Sequence, residues 1–367
     1  MNKLDKFAQK IEEAKEVIEA CADAHGFLAS TDKYKEYWLR DFVYSQWCLL
    51  KLGYKKECKL HLKNFLLRID RSGNVPARIQ KPFQYMISIS KRMYKLPMFV
   101  LSGRIAHPIN RSYLSNTSKQ PWAADNAPLA VIGIYDYATF TSDEKFIKQY
   151  KLEVENLINF MLDKADRNLL FLPGNDWRDA MYCYSNQFLF SNQVVLQRAL
   201  RLSGNNKLAI KVEKNINAYL WNDNLGFYED FPGSYHFDTL AHALAILYDL
   251  IPAERIERVI KAFNSANTKL GYKNLNEPYD PSVSGLEMYS YQNAAMWPFV
   301  QGYTILAFLH IGQYALAKNG FVKFSRLSNF NEWYDPRTKS PKGSRGQLWS
   351  AAAYLLSYEA LKAKCII

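Results

Sequence analysis

YQNAAMWPFVQGYTILAFLHIGQYALAKNGFVKF, residues 291–324, opens on a polar, aromatic cluster and runs into apolar residues at three- and four-residue spacing. It breaks at HIGQ (310–313) and then resumes the same spacing. The pattern predicts helices over 293–311 and 312–327, joined so tightly that they lie antiparallel. Asn293 and Trp297, four apart, would then share a face, with Pro298 kinking or restarting the helix.

The same unit recurs along the chain. Apolar residues repeat with helical period over 3–22, 41–53, 55–68, 126–140, 144–163, 189–203, 206–221, 238–249, 253–264 and 347–363. Short breaks such as LGY (52–54), TSD (141–143) and SGNN (203–206) separate them. Strand-like alternation is scarce, and KLPMFVLSGRIA (95–106) is its best candidate. No composition break or Pro/Gly/Ser linker divides the chain, so residues 1–367 read as one all-α domain. Helical hairpins in this number build either an open solenoid or a closed toroid of six inner and six outer helices. Polar aromatic clusters decide between them: YWLRD (37–41), PWAADN (121–126), NDWRDAM (175–181), YQNAAMWP (291–298) and NEWYD (331–335) recur at one end of alternate helices. Closure gathers all five around one funnel, so an (α/α)6 toroid is expected.

Composition excludes several function classes. The chain has 367 residues, 49% hydrophobic and 15% aromatic, enough for a sizeable core and far from a disordered composition. Its net charge of +12 is spread over helix-like segments such as KIEEAKEV and IERVIKAF, with acids interleaved. That favours a solvated basic surface over a nucleic-acid site, which stays open only for a non-enzymatic reading of the chain. Cys21, Cys48, Cys58, Cys183 and Cys365 are odd in number and share no CxxC spacing, which suits reduced thiols. The first residues form a charged amphipathic helix, and no apolar run reaches membrane-span length, so a soluble, cytoplasmic chain is expected. The six histidines form no HExxH or HxxxH pair, and neither GxxxxGK[ST] nor GxGxxG occurs. Metal and nucleotide chemistry therefore have no support, and no cofactor is expected.

What remains is carboxylates set among aromatic rings. In NDWRDAM, Asp176 and Asp179 are three apart; they cap a helix, or they belong to a loop that serves a site. AMYCYSNQFLF follows them and does not start a regular helix, which favours the loop. In YWLRDFV, Asp41 caps the next helix, or Arg40 and Asp41 grip vicinal hydroxyls with Trp38 as a stacking face. Asp125 and Asn126, before Pro128, make an ordinary helix start as well as a candidate site. In FNEWYDPRTKSPKGSRGQLWS (330–350), Glu332 sits between an asparagine and two rings, and a helix begins at Gln347. Paired carboxylates with planar sugar-binding surfaces are the equipment for cleaving a glycosidic bond.

In order and spacing these clusters also resemble the (α/α)6-barrel glycoside hydrolases. WLRDFV is similar to their RDFV or RDA segment, and GNVPARIQ (73–80) to their G-x-I-P-x-R. DNAPLAVIGIYDYATFTSD resembles the D-x-x-P-L-F stretch of amylo-α-1,6-glucosidases, the C-terminal part of glycogen debranching enzymes. NDWRDAM followed by SNQVVLQRAL looks like their D-W-x-D and N-x-L-x-x-x-A-L, and YQNAAMWPFVQGY like Y-H-N-G-x-x-W-P. NEWYDPRTKSPKGSRGQLWSAAAYL is similar to E-x-x-x-x-x-T-G-x-P-x-G-x-x-x-Q-x-W-S, shared with neutral invertases. The likeness spans about residues 35–355. It departs at Ala294, where glycine is usual after the asparagine, and at Ser340 after Lys339, taken as the place of the usual glycine of T-G-x-P.

The resemblance implies an inverting glycosidase with Asp179 as acid and Glu332 as base, roughly 6.5–9.5 Å apart so that water fits between them. Apolar and like-charged surroundings would keep Asp179 protonated. Trp38, Arg40, Asp41, Asp125, Asp176, Trp177, Arg178, Asn293, Trp297 and Gln347 would hold the sugar. The implied partner is a small carbohydrate carrying an α-linked glucosyl unit, with no metal or cofactor. Two other readings stay open: a disaccharide hydrolase of invertase or trehalase type (or one acting on a mannosyl compound), and a non-enzymatic helical-repeat binding protein.

Overall fold

The computed structural model describes residues 3–79, 123–166, 172–185 and 187–367. In chain order its helices are α1 (Lys3–Cys21), α2 (Leu39–Lys51), α3 (Lys55–Leu66), α4 (Asn126–Thr141), α5 (Glu144–Gln149), α6 (Lys151–Lys164) and α7 (Phe190–Leu202). They continue as α8 (Asn206–Tyr219), α9 (Thr239–Leu247), α10 (Ala253–Ala266), α11 (Pro281–Ser284), α12 (Pro298–His310), α13 (Tyr314–Phe324) and α14 (Leu348–Ala363). Two-residue antiparallel strands pair β1 (Ala22–Asp23) with β2 (Gly26–Phe27) and β3 (Tyr37–Trp38) with β4 (Arg78–Ile79). They also pair β5 (Trp221–Asn222) with β6 (Phe227–Tyr228) and β7 (Trp333–Tyr334) with β8 (Pro341–Lys342).

Among the described residues, α2, α4, α7, α9, α12 and α14 pack each on the next, and α14 returns to α2. The ring is closed: the fold is the all-α (α/α)6 toroid. Burial separates its two layers. In α12 nearly every side chain from Pro298 to Leu309 is buried, whereas its outer partner α13 buries only Ala317, Gly320, Phe321 and Phe324. Outer α10 likewise buries only Val259, Phe263 and Ala266, the single stripe of a helix with one wet face. The inner helices approach closely where side chains are small. A β-carbon on Gly302 of α12 would stand 2.5 Å from that of Ala353 in α14, so only glycine allows that crossing. The first helix closes the outer layer by packing on α14.

Each polar cluster precedes an inner helix, which puts the clusters at one end of the ring. Several boundaries differ from the sequence expectations. Residues 291–297 are irregular, with Tyr291 and Ala294 in the left-handed region, and Pro298 starts α12 at a position where its missing N–H costs nothing. Asn293 and Trp297 therefore share no helix face. The 144–163 segment divides at Tyr150 into α5 and α6. NDWRDAM is loop, followed by a single 3-10 turn at Tyr182–Tyr184 before α7. The 95–106 segment lies outside the described residues.

Candidate active site

A cavity of about 430 Å³ opens at the cluster end of the ring. Asp179 and Glu332, 153 positions apart in the chain, both line it, with Trp38, Arg40, Asp41, Trp177, Trp297 and Gln347. Tyr34, Arg78, Tyr291, Gln292 and Trp349 line it too. Asp125, Asp176, Arg178 and Asn293 do not; they are buried behind the wall and hold other groups in place.

Asp179 ends a rigid loop. Behind it the Arg178 guanidinium is fully buried, 2.6 Å from Asp176, 2.8 Å from Asp230 and 2.8 Å from Asp238. The Asp238 contact is close but is not aligned as a hydrogen bond, since that oxygen has no hydrogen-bond partner. Tyr184 and Tyr279 hydroxyls complete the cluster on Asp230, at 2.6 and 2.9 Å. Burial raises the proton affinity of Asp176, but Arg178 outweighs it and holds Asp176 below the usual carboxylate range. Burial, with Asp230 and Asp176 nearby, pushes Asp238 up to about 7 despite Arg178. Trp177 packs edge-on against Trp297 at 5.1 Å and Phe299 at 5.0 Å, which fixes the other side of the loop. Asp176 and Arg178 thus anchor the backbone that presents Asp179.

The Asp179 carboxylate itself accepts from Arg40 Nη1 at 3.0 Å and Gln292 Nε2 at 3.2 Å. Gln292 also accepts from the Ala180 N–H at 2.7 Å and donates to the Trp177 carbonyl at 2.8 Å, so it clamps the loop across the cavity wall. The surroundings are therefore polar, and the expected apolar, like-charged setting is corrected: a guanidinium faces this acid. Arg40 also donates through Nε to Asp125 at 3.1 Å. Asp125 holds the N-cap position of α4 but caps nothing. Burial pushes it up to about 7 against the pull of Arg40. Asn293 spends its amide on the backbone of Tyr279 and Leu286, holding the loop that brings Gly285 and Leu286 to the cavity.

Asp41 lies in the first turn of α2 and accepts from Gln347 Nε2 at 2.9 Å. Burial first, and then Glu332, push it up to about 7. Glu332 is 3% exposed and sits just before the β7–β8 hairpin. It accepts the Tyr34 hydroxyl at 3.1 Å and the Ser344 N–H at 2.9 Å. Burial raises its proton affinity, and these two donors, Lys33 and Tyr291 oppose the rise. Tyr291 lines the same cavity and is within electrostatic reach of both Glu332 and Asp179. At Gly343 (φ +72°) an added β-carbon would stand 2.2 Å from Glu332 Oε2.

Trp177 and Trp349, in the cavity wall, carry buried indole N–H groups without a protein hydrogen-bond partner, and Gln347 Oε1 is likewise unpartnered. Among the described residues no group of three or more His, Cys, Asp or Glu side chains could hold a metal ion. No described helix is long and apolar enough to cross a membrane.

No family profile and no curated protein matches the chain. Solved structures do. A wild-type glycosidase superposes with TM-score 0.70 at 13% identity, over 99% of both chains. The GH63 mannosylglycerate hydrolase of Thermus thermophilus, in complex with glucose, gives 0.67 at 14% identity, over 95% of this chain and 99% of that one. A GH78 rhamnosidase of Bacillus sp. GL1 gives 0.67 at 15%, over 97% of this chain and 35% of its own. These likenesses agree with the closed ring and establish the fold.

Proposed function

We propose that this protein is an inverting glycoside hydrolase that removes an α-linked glucosyl unit from a small glycoside or oligosaccharide end, with residues 1–367 as one catalytic barrel. The observation that carries this reading is the meeting of Asp179 and Glu332, from opposite halves of the chain, in the wall of one cavity. At about 430 Å³ that cavity lies toward the small end of ligand pockets, roughly 300–1,000 Å³, which suits one or two sugar rings better than a branched glucan. The unpartnered indole N–H groups and amide oxygen in its wall suit a ligand rich in hydroxyls. Structures of the same fold are glycosidases, one in complex with glucose.

In this mechanism Asp179 protonates the glycosidic oxygen as the bond from the anomeric carbon breaks. Glu332 removes a proton from the water attacking the opposite face. Its burial brings its proton affinity toward the working pH, where a general base is most effective. Arg40 orients Asp179, while Asp41, Gln347, Trp38 and Trp297 grip the sugar. Asp41 also carries a proton near neutrality, and kinetics separate its role. Asp179→Asn and Glu332→Gln should lower kcat ~10²–10⁴-fold on a substrate from an α-glycoside panel. Asp41→Asn should act mainly on KM. Wild-type kcat in either of the first two variants refutes the assignment.

A second reading keeps the chemistry and changes the substrate to a glycoside with an acidic aglycone. A structurally similar protein is a mannosylglycerate hydrolase with D-glycerate bound, and Arg78 lines the cavity here. Panel members with and without a carboxylate aglycone decide between the two.

A further inference from the structure

The part of Glu332 that faces away from the cavity is tied to the other end of the chain. Glu332 donates its N–H to the Ser344 carbonyl at 2.8 Å, and the Ser344 N–H returns to Glu332 Oε2 at 2.9 Å. Ser344 is therefore held to the proposed base through both its backbone groups. Its side chain points the other way. The Ser344 hydroxyl donates to Asp32 Oδ1, 312 residues away in sequence, and lies 2.7 Å from the Ser30 hydroxyl. The next peptide, Arg345 N–H, donates to Asp32 Oδ2 at 3.0 Å.

Asp32 is itself fixed by its own loop, accepting from Lys33 N–H at 2.6 Å and from Ser30 Oγ at 3.3 Å. Burial raises its proton affinity, but the Ser344, Arg345, Lys33 and Ser30 donors together outweigh it and hold Asp32 below the usual carboxylate range. The surrounding backbone is stitched across the same seam, with Leu348 N–H on the Ala29 carbonyl at 2.9 Å and Gln347 N–H on the Phe330 carbonyl at 2.7 Å. Asp32 as a whole is exposed, and only its carboxylate end is enclosed by these donors. A carboxylate that collects donors from two chain ends is there for what it holds.

We infer that Asp32, acting through Ser344, is the positioning residue for Glu332: it holds the 343–345 loop so that the Ser344 N–H stays aimed at the base. The inference rests on the proposed function and adds a residue that never touches substrate. The other groups facing Glu332 are Tyr34, Tyr291, Lys33, Asp41 and, through Tyr291, Asp179. Lys33 and Tyr34 follow Asp32 in its own loop, so Ser344→Ala, which leaves that loop and every charge intact, is the variant that isolates the Ser344 link.

The sign of one shift distinguishes positioning from a plain charge effect. Loosening Ser344 takes a donor from the ionised form of Glu332, so its proton affinity rises and the acid limb of kcat/KM moves to higher pH. Loss of the Asp32 charge alone would remove a nearby negative charge and move the limb to lower pH.

The test uses Asp32→Asn and Ser344→Ala in the full chain. The first keeps the shape but removes the charge and puts an amide NH2 where one carboxylate oxygen accepted; the second keeps every charge and the Arg345 N–H bond and removes the Ser344 hydroxyl link. The expected result is an acid limb raised by about one pH unit in Ser344→Ala, since a shift of that size matches one lost hydrogen bond to a charged group, and raised by less in Asp32→Asn, where the lost negative charge opposes it. With it should come a kcat reduced ~10-fold, KM within about twofold of wild type, and an unchanged far-UV spectrum. An unmoved or lowered limb in Ser344→Ala overturns the inference. Direct titration of the Glu332 carboxyl by ¹³C NMR, assigned with Glu332→Gln, gives the same answer without any substrate. A raised midpoint there with no turnover of any sugar would sink the proposed function while sparing the anchor, and an unmoved midpoint would sink the anchor alone.

Discussion

Gly343→Ala is the substitution whose effect the structure dictates most tightly. Gly343 has φ +72°, where a β-carbon costs about 1–2 kcal/mol from backbone contacts alone. The new atom would also lie 2.2 Å from Glu332 Oε2, 2.7 Å from its β-carbon and 2.9 Å from its carboxyl carbon. Relief to ordinary contact near 3.5 Å requires a displacement of about 1 Å. Overpacking of that kind adds about 1–3 kcal/mol, so the variant should lose about 2–5 kcal/mol of stability. The displaced group is the proposed base, and a misplacement of about 1 Å costs roughly 100-fold in rate. Gly53 supplies the control, with φ +95° and nothing within 4 Å of its added β-carbon. Gly53→Ala should show only the backbone cost and keep kcat. Calorimetric melting and steady-state kinetics on both variants make the comparison. If Gly343→Ala melts and turns over like Gly53→Ala, Glu332 is not held as described, and the reasoning fails.

Other outcomes follow from the buried charges and the strained turns. Asp41 has a folded pKa of about 7, above its unfolded value near 4, so the folded state binds the extra proton and the stability Asp41 contributes is lost as pH rises from about 4 to about 7. Asp41→Asn should therefore gain in melting temperature relative to wild type across that window and level off above it; parallel curves would contradict the shift. Arg178→Met leaves Asp176, Asp230 and Asp238 buried around no cation, and breaking such a cluster typically costs about 3–5 kcal/mol. The variant should melt far below wild type, and a wild-type melting curve would remove Arg178 from its anchoring role. Ala294 and Lys339 sit at φ 64° and 62°, so glycine at either should recover about 1–2 kcal/mol of left-handed strain, less roughly 0.5–1 kcal/mol of added chain entropy. A small rise in melting temperature is expected from each, and a fall would show that the side chain contributes more than the strain.

The ring was legible in the sequence because the inner helices carry an unbroken apolar period and their polar clusters all fall before them. Asp179 and Glu332 stood out because a carboxylate among rings has no use on a solvated surface. The boundaries blurred where backbone chemistry is special. Residues 291–297 keep helical spacing although Tyr291 and Ala294 are left-handed, and periodicity does not report φ. The glycine departure near the last cluster was placed at Ser340, whereas the left-handed residue is Lys339.

Asn293 was legible as important but not for what it does. Its neighbour Gln292 reaches Asp179, while Asn293 turns inward to the Tyr279 backbone. Tyr34 was missed as a site residue because closure of the ring brings it in and no local pattern announces it, whereas Arg78 and Trp349 lie inside the quoted GNVPARIQ and GQLWS motifs and were given no role there. Asp125 and Asp176 read equally well as caps. Neither acts as one by a side-chain bond to a helix N–H; their carboxylates go to Arg40 and Arg178, pairings the one-dimensional order does not display.

The claim on which the account turns is that Asp179 and Glu332 act on opposite faces of one anomeric carbon. Proton NMR of the first product released from an α-glucoside tests it within the first minutes of reaction, before mutarotation. The account predicts the β-anomer first, with the signal lost in Asp179→Asn and Glu332→Gln. Appearance of the α-anomer first would mean retention, and the pair described here would not be the catalytic one.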